Sequence, residues 1–211
     1  MSAFYPVLLK LEGKRSVVIG GGAETDQRVR SLMDAGAQVE LIAPVASEEM
    51  MQLARAGRIR WIERTYRRGD LEGAFLAVAC ASDRSRNEEI WAEAEARGIP
   101  FNATDDGPHC SFIFPAIHRQ GDLVVAISSG GKSPALASRI RDRIAGDLGP
   151  EYAEFLNILG GLRPEVTKRF PAFERRREIW YRLVDSDAFD RLKAGGREAA
   201  LAALRSVLDR A

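Results

Sequence analysis

The stretch SVVIGGGAETDQRVRSLMDAGA, residues 16–37, decides the fold. It begins with the apolar, β-branched run VVI after Ser16, which is typical of a buried strand. Three glycines follow directly: Gly20, Gly21 and Gly22. A helical pattern comes next, and Gly36 stands where a left-handed helix cap is usual. Strand, glycine turn and helix together form the first half of a dinucleotide-binding unit, because the glycines let the backbone approach a pyrophosphate at the helix N-terminus.

This glycine pattern is incomplete. Gly20 and Gly22 occupy the first two positions of G-x-G-x-x-G/A, but Thr25 occupies the third. Glu24 and Asp26 add negative charge to the first helical turn, which suits the helix dipole but repels a pyrophosphate. A purely structural turn that binds no nucleotide therefore stays open as an alternative.

The predicted cofactor contacts come from the glycine turn and from the ends of the following strands: Gly20, Gly21, Gly22, Ala23, Glu24, Pro44, Val45, Ala81 and Ser82. In many such units an acidic residue ends the second strand and binds the ribose hydroxyls. Here Ala43 is followed by Pro44 and Val45, so the usual rule does not choose between NAD and NADP.

Composition limits the classes of function. The 211 residues carry a net charge of +1, and 45% of them are hydrophobic, which is ordinary for a packed globular protein and does not favour nucleic acid as a partner. No stretch reaches the roughly 18 apolar residues of a membrane span. Cys80 and Cys110 show no metal-type spacing; a disulfide between them is compatible with the sequence, but reduced thiols in the cytoplasm are the simpler interpretation.

The predicted elements alternate up to residue 104 and then change character. Strands over residues 38–43, 58–63, 75–81 and 99–104 alternate with helices over 47–56 and 85–97, which predicts a Rossmann-type parallel sheet. An edge or interrupted strand at 112–117, a strand at 122–128 and a helix from Ser133 follow. Such a small unit needs a partner surface, so a second copy of the chain is expected to cover it.

From residue 150 onward the pattern is helical, with Gly160 and Gly161 as a candidate break. The predicted organisation is an NAD-binding α/β domain at 1–113, a small α+β dimerisation region at 114–149 and a helical C-terminal domain at 150–211. A homodimer is therefore expected.

Several stretches resemble the precorrin-2 dehydrogenase family, which also forms the N-terminal half of siroheme synthase. They are YPVLLKLEGK, the glycine turn after VVI, DAGAQVELIAP, GDLEGAFLAVACASD, NATDDGPHCSFIFPAI, AISSGGKSPALASRIRDRI and ERRREIW. This resemblance implies NAD-dependent oxidation of precorrin-2 to sirohydrochlorin, in some members followed by insertion of ferrous iron. It also implies a Rossmann domain, a dimerisation domain and a helical domain.

The resemblance also implies the remaining site residues. Asp105 matches the catalytic aspartate of the family, and its place after the fifth strand suits a proton acceptor. The loop Ser128, Ser129, Gly130, Gly131 and Lys132 is expected to bind the carboxylates of a tetrapyrrole, and Ser129 matches a serine that the family can carry phosphorylated. Ordinary turn and cap roles remain the alternatives for both.

A metal site is conceivable at Asp105, His109 and Cys110, although a lone loop histidine usually lies at the surface. Arg175, Arg176 and Arg177 form a basic run, interpreted as a solvated helix face.

Two other functions compete with the dehydrogenase. One is a chelatase with weak or lost NAD binding, motivated by Glu24 and Thr25, where the family commonly has Val-Ala. The other is a tetrapyrrole-binding subunit or carrier without enzymatic activity.

Overall fold

The computed structural model describes residues 4–80, 84–104 and 106–211. The chain divides into two compact units, Met1–Phe114 and Pro115–Ala211. The strands are β1 (Arg15–Ile19), β2 (Gln38–Ile42), β3 (Arg60–Ile62), β4 (Leu76–Ala79), β5 (Phe101–Ala103), β6 (Ala116–Gln120) and β7 (Leu123–Ile127). The helices are α1 (Ala23–Asp34), α2 (Glu48–Arg55), α3 (Arg84–Arg97), α4 (Pro134–Asp147), α5 (Pro150–Arg169), α6 (Phe173–Val184) and α7 (Ala188–Asp209).

The first unit is a five-stranded parallel sheet with the order β3-β2-β1-β4-β5. This confirms the predicted Rossmann-type fold. The strand order reverses between β1 and β4, and ligands of open α/β sheets bind in the crevice at the carboxyl ends of strands on either side of such a point. Strands β1 and β4 are buried almost throughout, as their apolar runs predict.

Helix α1 forms for the reasons that its sequence indicates. Val29 and Leu32 are buried on the face that covers the sheet. Gly36 adopts φ 80°, and the amides of Gly36 and Ala37 bond back to the carbonyls of Met33 and Leu32. This left-handed cap ends the helix and leads the chain directly into β2.

A buried carboxylate fastens the first three strands to each other. Glu40 of β2 is 5% exposed and binds Arg15 of β1 at 2.6 Å and Arg60 of β3 at 3.0 Å. A buried charge is costly unless it is paired, and here the ion triad links all three strands.

The second unit begins with an antiparallel hairpin of β6 and β7, packed against α4 and α5. Residues 112–115, predicted to open this strand, are not extended in a sheet, and β6 begins only after Pro115. The reason is that proline has no amide hydrogen to donate to a ladder. Ser133 caps α4 by accepting from the amide of Leu136, with Pro134 at the first helical position, as predicted.

Helices α5, α6 and α7 form their own hydrophobic core. Helix α5 continues through Gly160 and Gly161, so the predicted break there is wrong. Helix α7 contains a kink at Gly196, where φ is 75°. In the part of the chain that the structure describes, no helix combines the length and apolar character needed to cross a bilayer.

Candidate functional site

The glycine turn lies between β1 and α1, at the carboxyl edge of the sheet. Gly20 and Gly22 have φ of 123° and 101°, values that side chains rarely allow. The amide of Gly20 bonds to the carbonyl of Ile42 at 3.0 Å, which ties the turn to the end of β2. A Cβ atom added at Gly22 would meet nothing within 4 Å, whereas one added at Gly21 would lie 3.1 Å from the Val45 carbonyl oxygen. The turn is therefore tight on one side and open on the other.

The first turn of α1 presents unused amides. Its N-cap is Gly22, which has no side chain to cap the helix, and the first intrahelical bond runs from the Asp26 amide to the Gly22 carbonyl at 3.1 Å. Among the hydrogen bonds of the described residues, the amides of Ala23, Glu24 and Thr25 accordingly lack a capping acceptor. Together with the open space at Gly22, this geometry fits an anionic group such as a pyrophosphate.

The two departures from the glycine motif do not obstruct this space. Thr25 is 1% exposed and faces the protein interior below the turn. Glu24 pairs with Arg28 one helical turn further along, at 3.2 Å. The Arg28 guanidinium also stacks over the ring of Phe114 at 4.2 Å, a contact that the sequence gives no means to predict.

The loop after β2 forms the wall beside Gly21. Pro44 and Val45 are both exposed, as cofactor contacts must be. Trp61 of β3 donates its indole N–H to the Ala43 carbonyl at 3.0 Å and so fixes the beginning of the loop. Ser47 caps α2 by accepting from the amide of Met50, as predicted.

A partly buried thiol, Cys80, directly follows β4. The Cys80 thiol lies 3.8 Å from the Thr104 hydroxyl at the end of β5. Burial raises the pKa of this thiol, and hydrogen bonding with Thr104 and Thr25 opposes the rise only in part. Cys80 thus links the ends of β4 and β5 at the edge of the sheet. Both cysteines are free thiols, in agreement with the simpler interpretation.

The loop after β5 is held by side-chain contacts of Asn102, Asp106, His109 and Cys110, of which the sequence analysis singled out only His109 and Cys110. Asn102 donates to the Phe112 carbonyl at 2.9 Å, and the Cys110 thiol donates to the Ala103 carbonyl at 3.2 Å. Asp106 is 8% exposed and accepts from a ring nitrogen of His109 at 2.9 Å. The imidazole of His109 also packs on Trp91, with ring centroids 5.1 Å apart.

These contacts bear on the proposed metal ligands. His109 is engaged by Asp106 and Trp91 rather than facing open solvent. Within residues 4–80, 84–104 and 106–211, no group of three His, Cys, Asp or Glu side chains is placed to hold a metal ion. Three of the predicted site residues, Ala81, Ser82 and Asp105, lie outside the described residues.

The loop at 128–132 belongs to the second unit. Gly130 and Gly131 have φ of 62° and 80°, and they turn the chain from β7 into α4. The Ser128 hydroxyl accepts from the Gly130 amide at 3.0 Å, and the Ser129 hydroxyl accepts from the Ser133 amide at 2.9 Å. Within the loop, the amides of Gly130 and Lys132 donate to Ser128 and Ser129. Lys132 is exposed and carries the only positive charge of residues 128–132, so it is the loop's candidate group for binding an anion.

A parallel sheet that reverses its order beside a glycine turn with uncapped helix amides defines the Rossmann class of NAD(P)-binding proteins. Comparison with known families agrees with this class. A family model described as "Putative NAD(P)-binding" matches residues 7–116, which is about half of the chain. Models described as "Sirohaem biosynthesis protein central" and "Sirohaem synthase dimerisation region" match residues 120–146 and 151–208.

Curated relatives of the chain are named siroheme synthase. The chain is 34% identical over 205 residues to siroheme synthase 1 of Aeromonas salmonicida, 36% over 192 residues to siroheme synthase of Pseudomonas paraeruginosa, and 38% over 195 residues to that of Ectopseudomonas mendocina. These alignments cover 97%, 91% and 92% of the chain but only 44%, 41% and 42% of the relatives. The chain thus spans less than half the length of these relatives.

A solved structure named "SirC, precorrin-2 dehydrogenase" superposes with a TM-score of 0.75 at 23% identity and covers 98% of both chains. At that sequence identity, the structural similarity is evidence for the fold alone. The chain belongs to the NAD(P)-binding family whose model it matches. Within that family it corresponds to the N-terminal region of siroheme synthases.

The match described as a dimerisation region covers residues 151–208, C-terminal to the segment 114–149 for which the sequence predicted dimerisation. The central match at 120–146 instead covers most of that segment. The division into domains at 1–113, 114–149 and 150–211 stays a prediction.

Proposed function

We propose that this chain oxidises precorrin-2 to sirohydrochlorin with NAD, as a step of siroheme biosynthesis. The observation that carries the proposal is the uncapped first turn of α1 above the open space at Gly22. It gives the nucleotide a binding place, and the siroheme synthases among the relatives point to the substrate. The macrocycle is a polycarboxylate, for which Lys132 and the loop at 128–131 are the proposed contacts.

The nucleotide, when bound, supplies the hydride acceptor. The protein supplies orientation and a place for the released proton. Gly20, Gly21 and Gly22 hold the pyrophosphate, and Ala23 and Glu24 donate their amides. Pro44 and Val45 form the adenosine side of the site, with Ala81 and Ser82 proposed on the nicotinamide side. Asp105 is the proposed proton acceptor, because it comes two residues after the end of β5 in the chain and matches the catalytic aspartate of the family that the sequence resembles.

The structure gives less reason to expect a chelatase that has lost NAD binding. Thr25 points into the core, and the charge of Glu24 is balanced by Arg28. Ferrous iron insertion is therefore proposed as a second activity beside oxidation, supported by the resemblance and by the names of the relatives. A carrier without activity is the remaining alternative.

The test is precorrin-2 turnover, measured by absorbance with NAD or NADP and then with ferrous iron. We expect Asp105→Asn to lower the oxidation rate about 10²-fold or more, the usual scale for a general base, with NAD affinity nearly unchanged. Asp106→Asn is the matched control and is expected to lose much less activity. An equal loss in both variants would assign the pair a common role in shaping the loop. Near-normal turnover in Asp105→Asn would remove its role as the base.

A further inference from the structure

The segment after β2 carries the residues that choose between NAD and NADP in this fold. A carboxylate at the end of the second strand usually binds the ribose hydroxyls, or a nearby arginine accepts the 2′-phosphate. Here β2 ends at Ile42 and Ala43 follows it. These apolar side chains can neither bind the ribose hydroxyls nor pair with a 2′-phosphate. The choice must then rest on charged groups of the neighbouring helices.

One ion pair stands at this place. Arg30 of α1 binds Glu49 in the first turn of α2, with a distance of 2.6 Å between Nη1 and Oε2. Helix α2 begins six residues after the end of β2, so its first turn lies at the carboxyl edge of the sheet. Because Arg30 reaches the Glu49 carboxylate, its guanidinium lies beside the first turn of α2.

The other arginines of these two helices are placed differently. Arg28 is bound by Glu24 and stacks on Phe114, and its Nε is buried. Arg55 lies in the last turn of α2, where it pairs with Glu48 at 3.5 Å. Among the arginines of these two helices, Arg30 is thus the one whose guanidinium lies beside the first turn of α2, and Glu49 already binds it.

We propose that Glu49 is the residue that sets the preference for NAD over NADP, by occupying Arg30 and keeping a carboxylate in the first turn of α2. A 2′-phosphate would have to displace Glu49 from Arg30 and then remain beside a negative charge. A free ribose hydroxyl meets neither cost. This inference rests on the proposed use of a nicotinamide dinucleotide and names the determinant of its choice.

The expected size of the effect follows from exposure. The side chains of Arg30 and Glu49 are 49% and 47% exposed, so their attraction is screened by water and is modest. Removing the carboxylate should therefore change discrimination by a moderate factor and leave the fold undisturbed.

The experiment measures dissociation constants of NAD and NADP by calorimetry on the full chain. We expect Glu49→Gln to bind NADP about three- to tenfold more tightly and NAD within about twofold of the original chain. Glu48→Gln is the matched control, since it removes a charge from the same turn without freeing Arg30, and it should gain clearly less. The double variant Arg30→Gln with Glu49→Gln should lose the gain.

Each outcome decides one point. An unchanged ratio of the two constants in Glu49→Gln overturns the inference while NAD binding itself stands. An equal gain in Glu48→Gln, or a gain that persists in the double variant, assigns the preference to the charge of the turn and overturns the role of Arg30. Failure of the original chain to bind either nucleotide would overturn the proposed function as well.

Discussion

Gly22 is the residue on which we expect nucleotide binding to depend most directly. Its φ of 101° requires glycine, and the space next to it is empty of protein atoms among the described residues. Any side chain there would point into the volume assigned to the pyrophosphate. The lack of a side chain at Gly22 thus permits both the backbone conformation of the turn and the access of a ligand.

We expect Gly22→Asp to abolish measurable NAD binding, because its carboxylate would occupy the anion position and cap the free amides of α1. Thermal unfolding should still be cooperative, since the cap offsets part of the backbone strain. The control is Gly57→Asp, where φ is 69° and the space is equally open but no nucleotide is expected. NAD affinity that survives in Gly22→Asp would show that the turn is only structural.

Glu93 of α3 is the second residue whose chemistry sets a testable behaviour. It is 4% exposed and accepts from the Tyr66 hydroxyl and, at 2.7 Å, from the Gly69 amide, while Arg97 binds it at 2.9 Å. Burial works to raise the pKa of this carboxyl, but the hydrogen bonds from Tyr66 and Gly69 and the charge of Arg97 outweigh it, so the pKa lies below its ordinary value. The same contact and burial raise the pKa of Tyr66.

A carboxyl whose pKa is lower in the folded state stabilises the fold above its unfolded pKa, and this contribution is lost as the pH falls through the folded value. We therefore expect Glu93→Gln to cost about 2 kcal/mol at pH 7, the scale of hydrogen bonds to a charged group. The difference should shrink below about pH 4, near the ordinary pKa of glutamate. Urea unfolding at several pH values measures it, and a difference that does not depend on pH would contradict the assignment.

At the scale of elements, the parallel sheet was predictable because its strands are short apolar runs separated by helical patterns. The glycine turn and the caps at Ser47 and Ser133 were predictable because local chemistry decides them. Helix α5 shows the opposite case. Its buried face, formed by Phe155, Ile158, Leu162 and Val166, outweighs the cost of two glycines, which is about 1 kcal/mol each.

The loop after β5 could not be predicted for a different reason. Asn102 and Cys110 hold it through side-chain bonds to backbone carbonyls that lie up to ten residues away. Such contacts leave no periodic pattern in the sequence. The pairing of Asp106 with His109 likewise leaves no pattern in the sequence.

The turn between β6 and β7 carries the prediction at this scale. Gly121 has φ 56°, and a Cβ atom there would lie 3.1 Å from Cβ of Ala153 on α5. We expect Gly121→Ala to destabilise the second unit by about 1–3 kcal/mol, from backbone strain and from the displaced helix. Gly130→Ala, at φ 62° with open space, should carry only the strain. Equal losses of unfolding free energy would show that the contact with α5 contributes nothing.

For the whole molecule the open question is where two copies meet. The family match named for dimerisation covers 151–208, whereas the small unit predicted for this role lies at 114–149. Each segment exposes a large apolar side chain to a similar extent: Leu136 of α4 is 57% exposed and Tyr181 of α6 is 59% exposed. Because these two side chains are exposed to a similar extent, the same substitution can be compared directly on the two faces.

We expect the chain to be a homodimer at micromolar concentration in light scattering. Burying a charge in an apolar interface is costly. Of the two variants Leu136→Glu and Tyr181→Glu, the one that yields monomers therefore identifies the face at which the copies meet. Circular dichroism serves as the control for folding. A monomeric original chain would contradict the prediction, and dimers in both variants would place the contact on another surface.

The fluorescence of Trp61 is expected to report nucleotide binding. Its indole donates to the Ala43 carbonyl where β2 meets the loop that lines the cofactor site. Indole emission depends on the polarity and hydrogen bonding of its surroundings, so a nucleotide settling against Pro44 and Val45 should alter both its wavelength and its intensity. With Trp61→Phe to subtract the signal of Trp91 and Trp180, nucleotide binding can be followed in real time without any label.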